Sequence, residues 1–425
     1  MKFTADAATF AEAVAWTARF LSTRPFAPVL AGIRLHADAA ADQVTLAAFD
    51  YEVAAQATVN AEAGTRVATS GTVLVPGRLL ADIAQHLSGH SSSAEVIAEG
   101  AKVILRAGRA EFTLLTMPLE DYPTLPQMPP VIGQIDAAFF ARAIAQTAVA
   151  AAHTNTVPMH CAIRIDVRLD QPLRLFATDS YRLAVRTLPT WQPTLPTPGT
   201  SADAEEDQVQ QPDGQEDNGS MSVFVHRPTM LTIAKTMACP SALSVGLQLD
   251  DNGSPHTLGV QLPDRTVVTR LVEGRVFAID RFLTDERPLA VEVNTAALTA
   301  AVRGVAVVAE RNTPVRLTVT ASADRTNGAD GTGGEVTLQS GNGEEAAGRD
   351  VLPVRCTGIA PGQEATIAFN PTFLLEALTS LGPGVCRLAF TTDYAKGRPA
   401  LLTDTSTDPD GPIYWHFLMP VRLSG

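Results

Sequence analysis

Cysteine is scarce in this chain of 425 residues, which contains only four. They are scattered, and no two are separated by two residues: Cys161, Cys239, Cys356 and Cys386. Zinc sites and disulfide-stapled domains both need cysteines at close, paired spacings. The pattern therefore predicts no metal site and no disulfide framework.

Long apolar runs are also missing, since no stretch reaches the roughly 18 uninterrupted apolar residues that a membrane-spanning helix needs. The first residues, Met1 to Asp6, carry an acid where a secretory signal would have its apolar run. Catalytic signatures are absent as well: there is no G-x-S-x-G, no HExxH, no phosphate-binding P-loop and no G-x-G-x-x-G after a strand. We expect a cytoplasmic protein that has no catalytic residues, no cofactor and no membrane contact.

Positive charge is in short supply, because 32 lysines and arginines face 45 acids and leave a net charge of −13. Net charge is an average, however, and a basic stripe can lie within it. Between Arg186 and Arg227 there is no lysine or arginine, while seven acids contribute about half of the net charge. This segment, 191–220, has almost no aliphatic residues to bury, which predicts a disordered acidic insertion. A second polar segment, 321–334, is expected to form a long hairpin tip.

The length predicts about three domains, and the sequence contains a threefold internal repeat. Three helix-like segments begin at Asp6, Asp136 and Asn294, each with an Asx N-cap and a large apolar residue four positions later. A second pattern, a short β-run entering a helix, recurs at 73–83, 223–233 and 367–377. Each copy reads helix, strands, helix, strands, which predicts an α+β fold built from three similar units. Symmetric units favour closure into a ring, although a triplication that serves only as a scaffold is the plain alternative.

Five strings, in order along the whole chain, resemble the bacterial DNA polymerase III β subunit family of sliding clamps. They are Met1–Thr4, Arg24–Leu30, Ala177–Val185, Leu271–Arg275 and Met419–Leu423. The ATD-x-x-RLAV string and the MP-x-RL ending are specific to that family. Scarce lysine indicates a high-GC genome, and Pro158-Met159 before Ile163-Arg164 resembles the actinobacterial branch.

The resemblance implies three clamp domains per chain, with boundaries at 1–130, 131–284 and 285–425. It implies a homodimeric ring of six domains, with helices lining the hole and sheets outside. Such a clamp encircles duplex DNA without reading its sequence and tethers the replicative polymerase. The dimer seam is expected where the edge strand 112–116 meets residues 349–354, with Phe112, Leu114 and Val307 at the contact.

Two groups of site residues follow from the resemblance. Residues expected to contact DNA are Arg24, Arg78, His153, Thr154 and Arg227. Residues expected to form a groove for short linear motifs are His160, Thr178, Ser180, Tyr181, Arg182, Leu183, Phe277, Phe282, Met419, Pro420, Val421 and Arg422. The implied partners are the polymerase III α subunit, the clamp loader and repair proteins, with Arg182 and Arg422 bonding the motif.

The groove departs from the family pattern at several adjoining positions. Arg275-Val276-Phe277-Ala278-Ile279 lacks the proline and tyrosine of the groove edge, His160 replaces a leucine, and Ser180 stands where glycine or arginine is common. Two functions stay open on this basis. The chain is either an ordinary replicative clamp or an auxiliary copy that gives self-resistance to a clamp-binding cyclic peptide antibiotic.

Overall fold

The computed structural model describes most of the chain. The described residues are 1–154, 157–168, 171–194, 221–275, 282–283, 286–309, 313–322, 332–341, 346–391, 398–405 and 413–422. Phe277, Ile279 and most of the acidic segment, which the sequence analysis singled out, lie outside them.

The first repeat alternates strands and two helices. Its elements are β1 (Lys2–Asp6), α1 (Ala7–Ala18), β2 (Gly32–Asp38), β3 (Gln43–Phe49), β4 (Val53–Val59), β5 (Arg66–Thr69), β6 (Gly71–Pro76), α2 (Gly77–Ser88), β7 (Ser93–Glu99), β8 (Lys102–Ala107) and β9 (Ala110–Leu115).

The second repeat has the same order. Its elements are β10 (Val131–Asp136), α3 (Ala137–Ala148), β11 (Ala162–Val167), β12 (Leu173–Thr178), β13 (Arg182–Leu188), β14 (Gln192–Pro193), β15 (Met221–His226), α4 (Arg227–Thr236), β16 (Ala242–Leu249), β17 (Pro255–Leu262) and β18 (Arg265–Arg270).

The third repeat completes the series. Its elements are β19 (Leu289–Asn294), α5 (Thr295–Ala306), β20 (Val315–Ala321), β21 (Thr332–Ser340), β22 (Gly348–Thr357), β23 (Glu364–Phe369), α6 (Pro371–Leu381), β24 (Val385–Phe390), β25 (Ala400–Asp404) and β26 (Tyr414–Leu418). Short 3₁₀ turns span Pro28–Ala31, Ala61–Ala63 and Pro158–Cys161.

The predicted Asx caps begin the first helix of every repeat. The side chain of Asp6 accepts from the Thr9 amide at 2.8 Å, that of Asp136 from the Phe139 amide at 2.7 Å, and that of Asn294 from the Ala297 amide at 2.9 Å. These bonds satisfy helix N–H groups that lack a partner within the helix. They also lower the pKa of the Asp6 carboxyl, because the backbone amide of Thr9 stabilises its ionised form.

Among the described residues, the chain falls into two compact units. The first consists of residues 1–141, 190–194 and 228–271, and it contains a five-stranded sheet, β5-β1-β7-β8-β9, and a nine-stranded sheet, β14-β10-β16-β17-β18-β4-β3-β2-β6. The second consists of residues 142–189, 221–227 and 272–422, and it contains a twelve-stranded sheet, β15-β11-β12-β13-β26-β25-β24-β19-β22-β21-β20-β23.

Consecutive repeats join by pairing equivalent strands. In the first unit, β4 of repeat 1 pairs with β18 of repeat 2; in the second unit, β13 of repeat 2 pairs with β26 of repeat 3. We call these the first and second junctions. The strands in the same roles at the ends of the series are β9 and β22. Within the described residues, β9 has β8 as its only neighbour, and β22 pairs with β19 only through residues 355–357.

The acidic insertion begins later than the sequence analysis placed it. Trp191 is buried and packs so closely on Gly133 that a Cβ there would meet its ring at 2.4 Å. Residues 192–193 then pair with β10 as β14. Residues 191–194 therefore belong to the folded sheet, because an indole that reaches a glycine-lined surface can be buried.

The second polar segment begins and ends in ordered strand. Ala321 pairs with Gly334 between β20 and β21, and residues 323–331, where a hairpin tip was expected, lie outside the described residues.

Candidate peptide-binding groove and nucleic-acid interface

A pocket of about 250 Å³ opens beside the second junction. It brings together much of the predicted groove and adds three further residues, Met159, Pro399 and Phe417. Its lining is Met159, His160, Thr178, Ser180, Tyr181, Arg182, Leu183, Phe282, Pro399, Phe417 and Met419. The strand pairing of β13 with β26 places Leu183 opposite Phe417, so residues far apart in sequence share one wall.

The floor of this pocket is apolar. Phe176, Leu183, Val185 and Phe417 form a buried cluster on which Phe282 packs, with the Phe282 and Phe417 rings 6.3 Å apart. Such a floor can bury a leucine or phenylalanine of a bound peptide, which would contribute about 1.5 to 3 kcal/mol per side chain.

Arg182 does not present its guanidinium to the pocket as the sequence analysis expected. Its side chain is only 4% exposed. It pairs with Asp179 at 2.9 Å and with Glu376 of α6, and it lies 4.3 Å from the centre of the Phe373 ring. Because both carboxylates and the ring already hold the cation, Arg182 is a structural element of the wall. Arg422, by contrast, is exposed.

The turn between β12 and β13 forms the rim. Ser180 adopts a φ of 77°, a left-handed conformation that favours glycine. The hydroxyl of Thr178 donates to the Arg182 carbonyl at 2.7 Å and accepts from the Ser180 amide at 3.2 Å, which fixes the turn. The Ser180 hydroxyl lies 3.4 Å from Nε2 of His160, so two of the departures from the family pattern touch each other.

A wider hollow of about 770 Å³ continues on the other side of Tyr181 and Met419, which line both spaces. Pro420 and Val421 line it as well, as do residues that the sequence analysis had not assigned to the groove: Ala306, Ala309, Thr313, Pro314, Asn370, Pro371, Thr372, Phe373 and Leu375. Asn370 and Pro371 were recognised only as a helix start. Their role in lining a cleft depends on the packing of distant segments, which no local pattern encodes.

In the first unit, the structure brings two of the predicted DNA-contacting arginines to one loop. The backbone amide of Arg24 donates to the Ser22 hydroxyl at 3.2 Å, and the guanidinium of Arg78 donates to the Ser22 carbonyl at 3.5 Å. Both arginines are exposed. Arg78 lies at the start of α2, so hydrogen bonds to Ser22 connect both residues to the same loop.

In the second unit, the equivalent elements bring Arg227 to His153. Arg227 donates through Nε to the Ala148 carbonyl at 2.9 Å, and its Nη1 lies 3.2 Å from Nδ1 of His153. Partial burial lowers the pKa of the Arg227 guanidinium. His153 and Thr154 are exposed on the loop after α3. Arg227 is thus held in place rather than freely solvated.

The predicted seam residues lie on different kinds of surface. Val307 is 82% exposed, whereas Leu114 is 3% exposed and belongs to the core of its own repeat. The ring of Phe112 on β9 meets His86 at 5.7 Å, and the His86 and His90 rings lie 4.3 Å apart, tilted by 43°. This HLSGH histidine pair was not recognised from the sequence. Among the described residues, no cluster of three or more His, Cys, Asp or Glu could hold a metal ion.

Family models match this architecture along the chain. The N-terminal domain of the DNA polymerase III β subunit matches residues 1–126, its central domain residues 134–196 and its C-terminal domain residues 281–410. The β sliding clamp of Streptomyces coelicolor is 36% identical over the full length of both chains. The chain belongs to the β sliding clamp family.

Three further comparisons show what this clamp is similar to. A protein named beta sliding clamp homolog GriR, from Streptomyces muensis, is 32% identical over the full length of both chains. Among solved structures, the DNA polymerase III β subunit of Pseudomonas aeruginosa matches with a TM-score of 0.79 at 22% identity, covering both chains fully. A P. aeruginosa clamp bound to griselimycin matches with a TM-score of 0.78 at 23% identity, again over both full chains.

The matched clamp structures share the three-domain fold seen here, which confirms the predicted α+β repeat architecture. Among the described residues, no helix is long and apolar enough to cross a membrane.

Proposed function

We propose that this clamp works as a homodimeric ring that encloses duplex DNA and tethers the replicative polymerase. The proposal rests on one strand at each end of the repeat series, which has no junction partner among the described residues. Both junctions pair the same two strands of consecutive repeats, and in the part of the chain that the structure describes β9 and residues 348–354 of β22 lack this pairing. Open edges are normally blunted or paired, so a second copy is the natural partner for both.

DNA would be held without sequence readout. Arg24 and Arg78 on one surface, and Arg227 with His153 and Thr154 on another, supply groups that can contact phosphates. Such contacts position a duplex and let it slide, because they carry no base information. Their contribution depends on released counterions and therefore on salt.

The groove beside the second junction would capture linear motifs of the polymerase III α subunit, the clamp loader and repair proteins. Extended peptides with apolar anchors fit an apolar floor bordered by a polar rim. In this role the clamp is a non-catalytic processivity subunit, and its place of work is the cytoplasm.

The topological claim can be tested by loading the full-length clamp onto nicked circular DNA with the host clamp loader. We expect clamps to stay on the circle and to leave after the DNA is cut once. Equal release from intact and linearised DNA would contradict enclosure. A triple Arg24→Ala, Arg78→Ala, Arg227→Ala variant should also flatten the log–log salt dependence of DNA binding by about one unit per lost phosphate contact.

The seam can be tested with Val307→Glu, because this side chain is exposed in the single chain and its replacement should not disturb the core. We expect a shift from dimer to monomer in light scattering with an unchanged melting temperature. Val385→Glu, at a valine that is 42% exposed, is the matched control and should remain dimeric. A wild-type protein that is monomeric at micromolar concentration would contradict the ring. Leu114→Asp is less suitable, since it would place a charge in the core.

A second function is favoured by the groove itself. His160 touches Ser180 at the rim, both depart from the family pattern, and the chain is 32% identical to the homologue named GriR. We propose that an auxiliary clamp of this kind would tolerate a clamp-binding cyclic peptide antibiotic while still accepting flexible polymerase motifs. A preorganised macrocycle cannot rearrange around new side chains without strain.

Binding of griselimycin and of a linear polymerase motif to immobilised clamp separates the two functions. The resistance function predicts macrocycle binding at least tenfold weaker than to the double variant His160→Leu, Phe277→Pro, a difference of about 1.4 kcal/mol. The linear motif should bind both proteins alike. Equal macrocycle affinity for parent and variant would contradict the resistance function, and only the replicative function would remain.

A further inference from the structure

Phe26 is 96% exposed, the most exposed of the large apolar side chains among the described residues. Two nearby residues are partly buried. Ala27 and Val29 pack against the buried cluster of Leu30, Leu74 and Tyr122. At this exposure the phenyl ring contributes almost nothing to the core of its own repeat.

The segment that carries Phe26 is anchored on both sides. Before it, Leu21 packs so closely on Gly77 at the start of α2 that a Cβ there would meet it at 2.5 Å. After it, the 3₁₀ turn Pro28–Ala31 begins, and the Leu30 amide donates to the Ala27 carbonyl at 3.0 Å. Pro25 and Pro28 further restrict the backbone. The ring is held out in solvent by an ordered loop, so little ordering entropy would be lost when it meets a partner.

The arginines attached to the same loop indicate what that partner is. Arg24 is two residues away, and Arg78 is tethered to the loop through the Ser22 carbonyl. An exposed aromatic ring on a loop that also holds arginines able to contact phosphates is the combination found on single-stranded nucleic-acid surfaces, where bases stack on the ring.

An unpaired base suits this ring better than a stacked duplex. Wedging a side chain between paired bases requires the step to be unstacked, and a clamp that did so at every step would not slide. At the junction between primer and template, the first unpaired template base is already free to stack. We propose, building on the proposed DNA enclosure, that Phe26 is a stacking residue that recognises the unpaired template base at a primer–template junction.

The test uses full-length clamp and two oligonucleotides of equal length, a fully paired duplex and a primed template with 2-aminopurine as the first unpaired base. Anisotropy measures affinity, and quenching of 2-aminopurine measures stacking. The variants are Phe26→Ala and Phe26→Leu, which keeps apolar bulk without the aromatic face. Tyr51→Ala, at another exposed aromatic residue, is the matched control.

We expect wild type and Tyr51→Ala to quench 2-aminopurine and to prefer the primed template. Phe26→Ala should lose the quenching and at least about fivefold in affinity for the primed template, with duplex affinity unchanged. Phe26→Leu should lose the quenching too. Equal loss on both DNAs, no loss on either, or a loss seen only with a polymerase motif peptide would overturn the proposal. Failure of wild type to bind duplex DNA would instead contradict the DNA-enclosing function.

Discussion

The two junctions between repeats use the same strand pairing but different side chains beside it. At the first, the Trp16 indole donates to the Thr236 carbonyl at 3.2 Å, and Arg265 lies 5.4 Å from the Trp16 ring while pairing with Glu12, whose side chain is 60% exposed. The second junction contains more buried polar groups, including Arg182, Tyr414 and His416.

At the second junction, Arg182 holds Asp179 and Glu376, and Tyr414 forms the centre of a buried hydrogen-bond network. The Tyr414 hydroxyl donates to the Gln146 carbonyl at 3.1 Å and also lies within hydrogen-bonding distance of Ser380 and His416. Buried polar groups cost little when satisfied and much when one partner is removed. The junction that borders the groove is therefore also the one most sensitive to substitution.

The largest expected difference between the junctions comes from Arg182→Ala. Removing the guanidinium leaves the nearly buried Asp179 carboxylate without its charge partner and Glu376, whose side chain is 39% exposed, without its ion pair. This change should lower the free energy of unfolding by about 3 kcal/mol. Urea denaturation of the full chain measures this loss. Arg182→Lys, which keeps the charge but not the two-armed geometry, should lose less. A loss no greater than that of Arg265→Ala would remove the contrast between the junctions.

The second-largest effect is expected at acidic pH, where protonation at the second junction should lower the free energy of unfolding. Burial lowers the pKa of His416 to about 3 in the folded protein, against about 6.5 when unfolded. Between these values the unfolded state binds the proton and the folded state does not, so stability falls as the pH falls below about 6.5. By pH 5 this single group should cost about 2 kcal/mol. Denaturation at pH 7 and pH 5 should show a smaller loss for His416→Gln, and identical pH slopes would contradict this role.

The smallest effect is expected from the ion pair of the first junction. Glu12→Gln should lower the free energy of unfolding by about 1 kcal/mol or less, because exposed pairs are screened by solvent and salt. The same denaturation series, run at low and high salt, should show the difference shrinking as salt rises. A loss comparable to that of Arg182→Ala would mean that exposure does not distinguish the junctions.

Local signals in the sequence predicted the repeat well. Asx caps and apolar periodicity are set by neighbouring residues, so Asp6, Asp136 and Asn294 could be placed without the fold. The Arg182–Glu376 pair could not, because 194 positions separate its members and only the β13–β26 pairing brings them together. The burial of Leu114 could have been predicted from the sequence, since strand alternation places it on the inner face of β9.

Glycine positions show a further limit of sequence reasoning. Trp191 stands in a segment otherwise dominated by acids and prolines. The residues near Gly133 do not indicate that the Trp191 indole packs on this glycine. The left-handed turn at Ser180 is similarly hidden, because serine has no preference that would reveal it.

The unpaired edges of β9 and β22 also affect how a dimeric ring would dissociate. In a dimer built through β9 and β22, each pair of chains makes two equal seams, and breaking one leaves the partners tethered through the other. Reclosure is then an intramolecular event whose effective concentration is set by the remaining seam rather than by the amount of protein in solution. In such a dimer a gate for DNA would open without the subunits becoming separate diffusing molecules, and dilution alone should remove such rings only slowly.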